Sequence, residues 1–235
     1  MKIGNLEIAT ENKALILLSA QASKKEHLLI ESKRAAAWLI HRMDSQNKKV
    51  AVMERLDMDP FRLVSKAPGY DVTIELCADA EYAAFAAALE GIANILPSAH
   101  PDPSASVVLV GSDYLFRPCL PKSVRFQYLM RHRKDLTHQA YAKHYAETHS
   151  GFGFKTRGVD GYAQFHVDPL ASEEAVRLSG FKTCDFDGVS QLYMTSLTKF
   201  LLASPINAAM GMIKDEKRFV DRDNSTMFSS RVVTF

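Results

Sequence analysis

The sequence predicts an α+β protein built as two tandem ferredoxin-like (βαββαβ) domains, whose sheets face each other as an intramolecular α+β barrel. Three observations predict it. The order strand, helix, strand, strand, helix, strand is legible twice along 235 residues. First strands begin at 14 and 124, second strands at 50 and 162, and third strands at 72 and 189, offsets of 110, 112 and 117. Each copy also leaves one sheet face without helices, and two such faces in one chain bury each other most simply by meeting. The predicted domains are 1–117 and 122–235, joined by a linker with Pro118 and Pro121.

The first strand, Ala14–Ala20, is an unbroken apolar run, as in a strand covered on both sides. Ser23 and Glu26 have capping-box spacing and open a helix to about Met43, with Leu29, Ala36, Leu39 and Ile40 on one stripe. Val50–Leu56 and Asp71–Cys77 alternate in period two, and Pro60 and the Pro68-Gly69 pair mark the connection between them. Asp79 caps an Ala-rich helix to Leu96, which Pro97, Pro101 and Pro103 end before the strand Val107–Val110. The second copy runs through Val124–His132, a helix capped by Thr137, Tyr162–Val167 and Val189–Thr195. Ser196 caps a helix to about Ala203, Ser204-Pro205 opens another, and Phe228–Phe235 is the last strand.

Hydrophobic residues make up 47% of the chain and charged residues 24%, which excludes disordered and low-complexity classes. Twenty-nine basic against 27 acidic residues leave +2, too balanced for nucleic-acid binding by bulk charge. Cys77, Cys119 and Cys184 lack metal-ligand or disulfide spacing and read as reduced thiols. No signal-peptide core or membrane-length apolar run is present, so a soluble cytoplasmic protein with no membrane partner is expected. GxGxxG, Walker, HExxH and nucleophile-elbow motifs are absent, which points to no cofactor and no metal.

Parity assigns faces in the second copy. Phe165, Val167, Leu192 and Met194 form the purely apolar face expected under helices, which leaves Tyr162, Gln164, His166, Gln191 and Tyr193 to line the barrel. Hydroxyphenyls, amides and an imidazole in an apolar enclosure suit a small-molecule substrate, and a hydrated contact between sheets is the alternative. Tyr128 joins the binding set, although its strand's pattern leaves its face open. His149 ends a helix just before Gly151, where an imidazole could exchange protons near neutrality or simply cap the helix. His144, five residues earlier, falls about 140° round an α-helix from it. His138 reads as solvent-facing, His27 and His41 as surface residues, and Trp38 as core.

Two stretches of the second half resemble the EthD family of the dimeric α+β barrel superfamily. One is Tyr128–Lys134 followed by Thr137–His149, with Tyr141 and Tyr145 where the family more often has Phe and Trp. The other is Asp187–Tyr193 followed by Asp215, Glu216, Phe219, Val220 and Asp221. The resemblance covers about 124–235 and puts His149 on the family's recurrent histidine, with Tyr145 beside it in the binding set. The Asp215–Asp221 run reads as the organiser of a helix end and loop.

The resemblance implies a cofactor-independent acid/base enzyme, a lyase, isomerase or cyclase/dehydratase, acting on a small apolar or aromatic carbonyl compound in a catabolic or secondary pathway. Cofactor-free oxygenation is a variant of it. In that scheme His149 or His166 takes a proton beside the carbonyl, and Tyr193 or Tyr162 hydrogen-bonds the enolate. The alternatives are a non-catalytic carrier or sensor and a haem-binding protein with His166 or His149 as axial ligand. Exposed helix faces leave a homodimer open.

Overall fold

A two-residue strand pair, β1 (Lys2–Ile3) and β2 (Leu6–Glu7), precedes the main architecture in the computed structural model of the chain. The structure describes every residue except 1, 4–5, 22–23, 68, 97–100, 103–104, 182–185 and 234–235. The expected cap Ser23, the breakers Pro68, Pro97 and Pro103, the thiol Cys184 and the terminal Phe235 therefore lie outside the described residues.

The N-terminal half supplies β3 (Ala9–Leu18), α1 (Lys25–Arg42), β4 (Lys48–Arg55), β5 (Val72–Ala78), α2 (Tyr82–Leu89), α3 (Ile92–Ile95) and β6 (Val107–Arg117). The C-terminal half supplies β7 (Val124–Met130), α4 (His138–His144), a π turn (Tyr145–His149), α5 (Ser150–Lys155), β8 (Gly161–Val167), α6 (Pro169–Ser179), β9 (Gly188–Met194), α7 (Leu197–Ala209), α8 (Met212–Phe219) and β10 (Thr226–Val232). The eight long strands form one closed antiparallel barrel, β10-β4-β5-β3-β6-β8-β9-β7. Within each half the strands stand in the order second, third, first, fourth. The expected facing of two separate sheets is replaced by joined edges: β6 pairs β8 and β10 pairs β4, so no long strand keeps an open edge.

Three sequence expectations for helices change, and the first is that the helix expected from Asp79 to Leu96 starts after Glu81 and breaks at Gly91 into α2 and α3. Helix α6 was not anticipated, although Asp168 accepts from the Ala171 amide at 2.8 Å and Pro169 stands in the first turn, a standard start signal. It packs on α2 and β6, and its Ala175 belongs to the core of the N-terminal half. Helix α7 runs straight through Pro205 instead of restarting there. Pro205 frees the carbonyl of Leu201, and Leu201 and Leu202 lie on an exposed stretch where water can satisfy it.

The residues sort into three apolar layers. Ile16, Ile74 and Leu76 of the N-terminal strands pack under Leu28, Leu39, Phe85 and Leu89 of the helices. Phe126, Tyr128, Tyr162 and Leu192 of the C-terminal strands meet Tyr141, Tyr145, Phe200 and Phe219. Leu15, Leu109, Leu129, Phe165, Val189 and Phe228 fill the barrel interior. Among the described residues no helix is long and apolar enough to cross a membrane.

Register corrects the parity assignment on β8. Directly paired residues share a sheet face, and the pairs are Ala163 with Gln191 and Tyr162 with Leu192. Gln191 and Tyr193 therefore line the barrel as expected, with Leu192 and Met194 under the helices. Tyr162, Gln164 and His166 face the helices, and Phe165 and Val167 face inward. The apolar criterion fails there because the barrel interior is itself an oil-filled layer, while the helix side holds polar partners.

Candidate active site

A cavity of about 360 Å³ lies outside the barrel, between the C-terminal sheet and its helices. Its floor is Phe126 and Tyr128 of β7, Tyr162 of β8, and Ser190 and Leu192 of β9. Helices α7 and α8 bring Phe200, Met212 and Glu216, and Phe61 arrives from the N-terminal half's turn at Pro60–Leu63. Gly153 in α5 lets the chain lie directly on the Tyr162 ring, since a Cβ there would overlap it.

His149 enters this cavity because of a local change in helix winding. Thr137 caps α4 by accepting from the Ala140 amide at 3.2 Å. The helix then widens into the π turn, whose i to i+5 bonding stacks residues five apart. His144 and His149 consequently meet the same carboxylate, which corrects the expectation that they diverge. Asp215 lies 3.1 Å from His144 Nε2 and 3.0 Å from His149 Nδ1. Burial would raise Asp215, but its histidine contacts outweigh that and hold it below the ordinary carboxylate range. An ionised carboxylate only accepts, so Nδ1 of His149 carries a proton toward Asp215 and Nε2 is the ring nitrogen left for the cavity. Nε2 has no hydrogen-bond partner among the described residues, and His149 is only 5% exposed.

Beside it stands a second buried charge. Burial raises the Glu216 carboxyl, against the opposing pull of Arg222, with which it pairs in direct contact. Both line the cavity. The Tyr128 hydroxyl is buried there without a formed hydrogen bond, and burial raises it well above the usual phenol value. Asn207 is committed to the fold: it accepts from the Arg157 amide at 2.9 Å and donates to the Arg157 carbonyl at 3.1 Å.

The structure brings three of the sequence-derived residues, His149, Tyr128 and Tyr162, to this one cavity. Tyr145 and Gln164 support it from behind: Gln164 donates to the Tyr145 carbonyl at 2.8 Å and to the Tyr162 hydroxyl at 2.6 Å. His166 lies beyond them, 3.1 Å from Gln164 Oε1 and stacked on Tyr114 with ring centroids 4.1 Å apart. Burial lowers it to about 3, so it stays neutral. Tyr193 is on the other side of the sheet, donating to Gln191 at 2.9 Å under the Arg125 guanidinium. His149, His166 and Tyr193 thus do not converge, and of the pairings in the enolate scheme only His149 with Tyr162 shares a cavity. His138 is also corrected: it shares Asp187 with His132, each at 2.8 Å.

Sequence reasoning missed Asp215, Glu216 and Arg222 as site residues. The signal was the Asp215–Asp221 run, read only as a helix end. Helix α8 has Asp215 and Glu216 buried with Phe219, which carries the two carboxylates inward together.

Residues 133–223 match the EthD domain family model, so the resemblance read in the second half holds. No curated protein matches the chain. Among solved structures, an anthrone oxidase-like protein is similar at 8% identity and a TM-score of 0.62, over 97% of this chain and 94% of that one. A chlorite dismutase variant from Candidatus Nitrospira defluvii is similar at 10% identity and 0.53, over 95% and 92%. A candidate monooxygenase from Lactobacillus acidophilus NCFM follows at 7% and 0.51, over 95% and 94%. At these identities the likeness is one of fold. These three are named as an anthrone oxidase-like protein, a chlorite dismutase and a monooxygenase, none of them a lyase, isomerase or dehydratase, and the expectation of a cofactor-independent enzyme of those types is overturned.

Proposed function

We propose, with the EthD domain at residues 133–223 as the premise, that the cavity of the C-terminal half binds haem, whose iron His149 would hold. One observation carries this reading: a buried imidazole whose Nδ1 is fixed on Asp215 at 3.0 Å and whose Nε2 is left without a partner at an apolar cavity. A carboxylate on one ring nitrogen would fix the tautomer and strengthen the other nitrogen as the one to hold iron. Haem iron supplies one-electron and oxygen chemistry when bound. Phe126, Leu192, Phe200 and Met227 exclude water from the cavity. Glu216 and Arg222 stand paired at the cavity wall, and the remaining N–H groups of Arg222 could meet a carboxylate tail.

Titration of the purified full chain with haem, followed by absorbance, tests the reading. The expected result is a shifted Soret band at one equivalent that His149→Ala loses. An unchanged free-haem spectrum with the wild-type chain overturns it. A second reading, a carrier or sensor of a small apolar molecule, is favoured by the cavity's size, near the lower end of the usual range of about 300–1,000 Å³. It predicts saturable binding of such a molecule with no Soret shift and no turnover. We further read 1–117 and 122–235 as two ferredoxin-like domains, a reading supported by the matching strand order of the halves.

A further inference from the structure

The barrel interior is apolar at one end and ionic at the other. Lys13 of β3, Glu75 of β5, Asp113 of β6 and Arg125 of β7 are all buried there. Lys13 contacts Asp113 and reaches Glu75 at 2.8 Å, and Arg125 Nη1 donates to Glu75 at 2.7 Å. Two cations and two carboxylates balance this inner group. A cavity of about 360 Å³ opens beside it and shares only Tyr162 with the cavity of His149.

Among the described residues three buried inner-face donors have no acceptor: Arg125 Nε, which lines this cavity, and Gln127 Nε2 and Gln191 Nε2, one register pair further along β7 and β9 and outside its lining. Both Asp113 oxygens also lack a well-formed hydrogen bond, Asp113 being held by its contact with Lys13. They stand together by register, because Arg125 pairs with Tyr193 and Gln127 with Gln191 across β7 and β9. Arg125 is 7% exposed and both glutamines are fully buried, so bulk water does not reach them freely. Unpartnered buried donors of this kind are costly and call for an acceptor. The cavity lining adds charge of the same sense, with Lys13, Lys49, Arg117, Lys122 and Arg125 against Glu11 and Glu75. Lys49 is spent on Glu11 at 2.6 Å and Lys122 lies 3.8 Å from Asp160, whereas among the described residues Arg117 donates only to the Thr156 carbonyl at 3.4 Å. The remaining walls are apolar, from Leu115, Val50, Val232 and two prolines.

We propose that this end of the barrel is a second ligand site, which takes a small organic carboxylate with an apolar body. A carboxylate is acceptor-only and matches a guanidinium edge. Because the inner ions already balance, the spare positive charge comes from the rim, which suits a monoanion.

Benzoate titrated calorimetrically into the full chain, at low and high salt, is the test. Expected is saturable one-site binding that weakens with salt, is about tenfold weaker in Arg125→Gln, and is several-fold weaker in a folded Arg117→Glu/Lys122→Glu variant. The rim variant keeps the inner network, so it decides the matter should Arg125→Gln not fold. The rim variant should also leave the haem spectrum unchanged, and excess haem should leave the benzoate titration unchanged. No saturable binding, binding indifferent to the rim reversal, or displacement of benzoate by haem would overturn the proposal. Because the benzoate readout does not use haem, it stands or falls separately from the haem reading.

Discussion

The two halves present the same strand order to the same kind of helical cover, yet they fill the space between differently. In the N-terminal half the interface is aliphatic, with Ile16, Ile74 and Leu76 against Leu28, Leu39 and Leu89, each completely buried. In the C-terminal half it is aromatic and polar, and it retains a cavity of about 360 Å³. Among the described residues, the buried hydroxyls of Tyr128, Tyr141 and Tyr145 make no well-formed hydrogen bond there. Each such group costs stability that a Leu or Ile would not. One interface therefore acts as core and the other as site, and the closed barrel that joins them lets the first offset the second.

The comparison breaks most severely at the seam the halves share. At Gly111 on β6 a Cβ would overlap the His166 backbone carbonyl of β8, and a backbone atom cannot move aside without opening the pairing. Gly111→Ala should cost about 4–5 kcal/mol and lower folded yield for both halves together, as judged by urea unfolding. A loss restricted to one half would show that the barrel does not couple them.

Truncations sharpen the contrast between the interfaces. Leu76→Ala in the filled interface should cost about 3 kcal/mol, and Leu192→Ala on the cavity floor about 1–2 kcal/mol, because a cavity wall already lacks neighbours on one side. Equal losses in chemical denaturation would contradict the division. Next in size is Asp215→Asn, which leaves His149 without its fixed tautomer. Haem affinity should fall about 10–100-fold with little change in stability of the N-terminal core. An unchanged titration would remove Asp215 from the site.

The smallest net effect in the wild-type chain is on pH dependence, because two groups act in opposite directions and largely cancel. His166 is held by burial at about 3 in the fold against 6.5 ordinarily. As pH falls below about 6.5 the unfolded chain takes a proton that the fold refuses, so stability declines until pH 3. Asp113 is raised by burial to about 6 from 3.8, against the pull of Lys13. Between pH 6 and 4 the fold takes the proton first, so Asp113 adds stability as pH falls. Each can contribute at most about 1.4 kcal/mol per pH unit. His166→Gln should remove the acid decline and Asp113→Asn should steepen it, measured by urea unfolding from pH 7 to 4. A His166→Gln profile parallel to wild type would refute the assignment.

Much of this was legible in the sequence, for reasons that differ by residue. The eight barrel strands could be read because their apolar runs and turn residues are local signals, and His149, Tyr128 and Tyr162 were named from the EthD-like helix and the strand pattern. The face of β8 could not be read, because both of its faces are covered and polarity no longer distinguishes inside from outside. The π turn left no trace either: one extra residue in a helical ring changes which histidines align without changing the sequence pattern. Asp215 was visible as a motif member, but its role depends on meeting His144 and His149, 71 and 66 residues away in the chain.

The division into core and site is tested most directly by hydrogen exchange on the full chain, with and without one equivalent of haem. Added protection should be confined to the π turn and α5 around 145–155, to α8 and Arg222, and to the start of β7, while α1 and β3–β5 exchange unchanged. Protection spread evenly over both halves, or centred on α1 and β5, would contradict it.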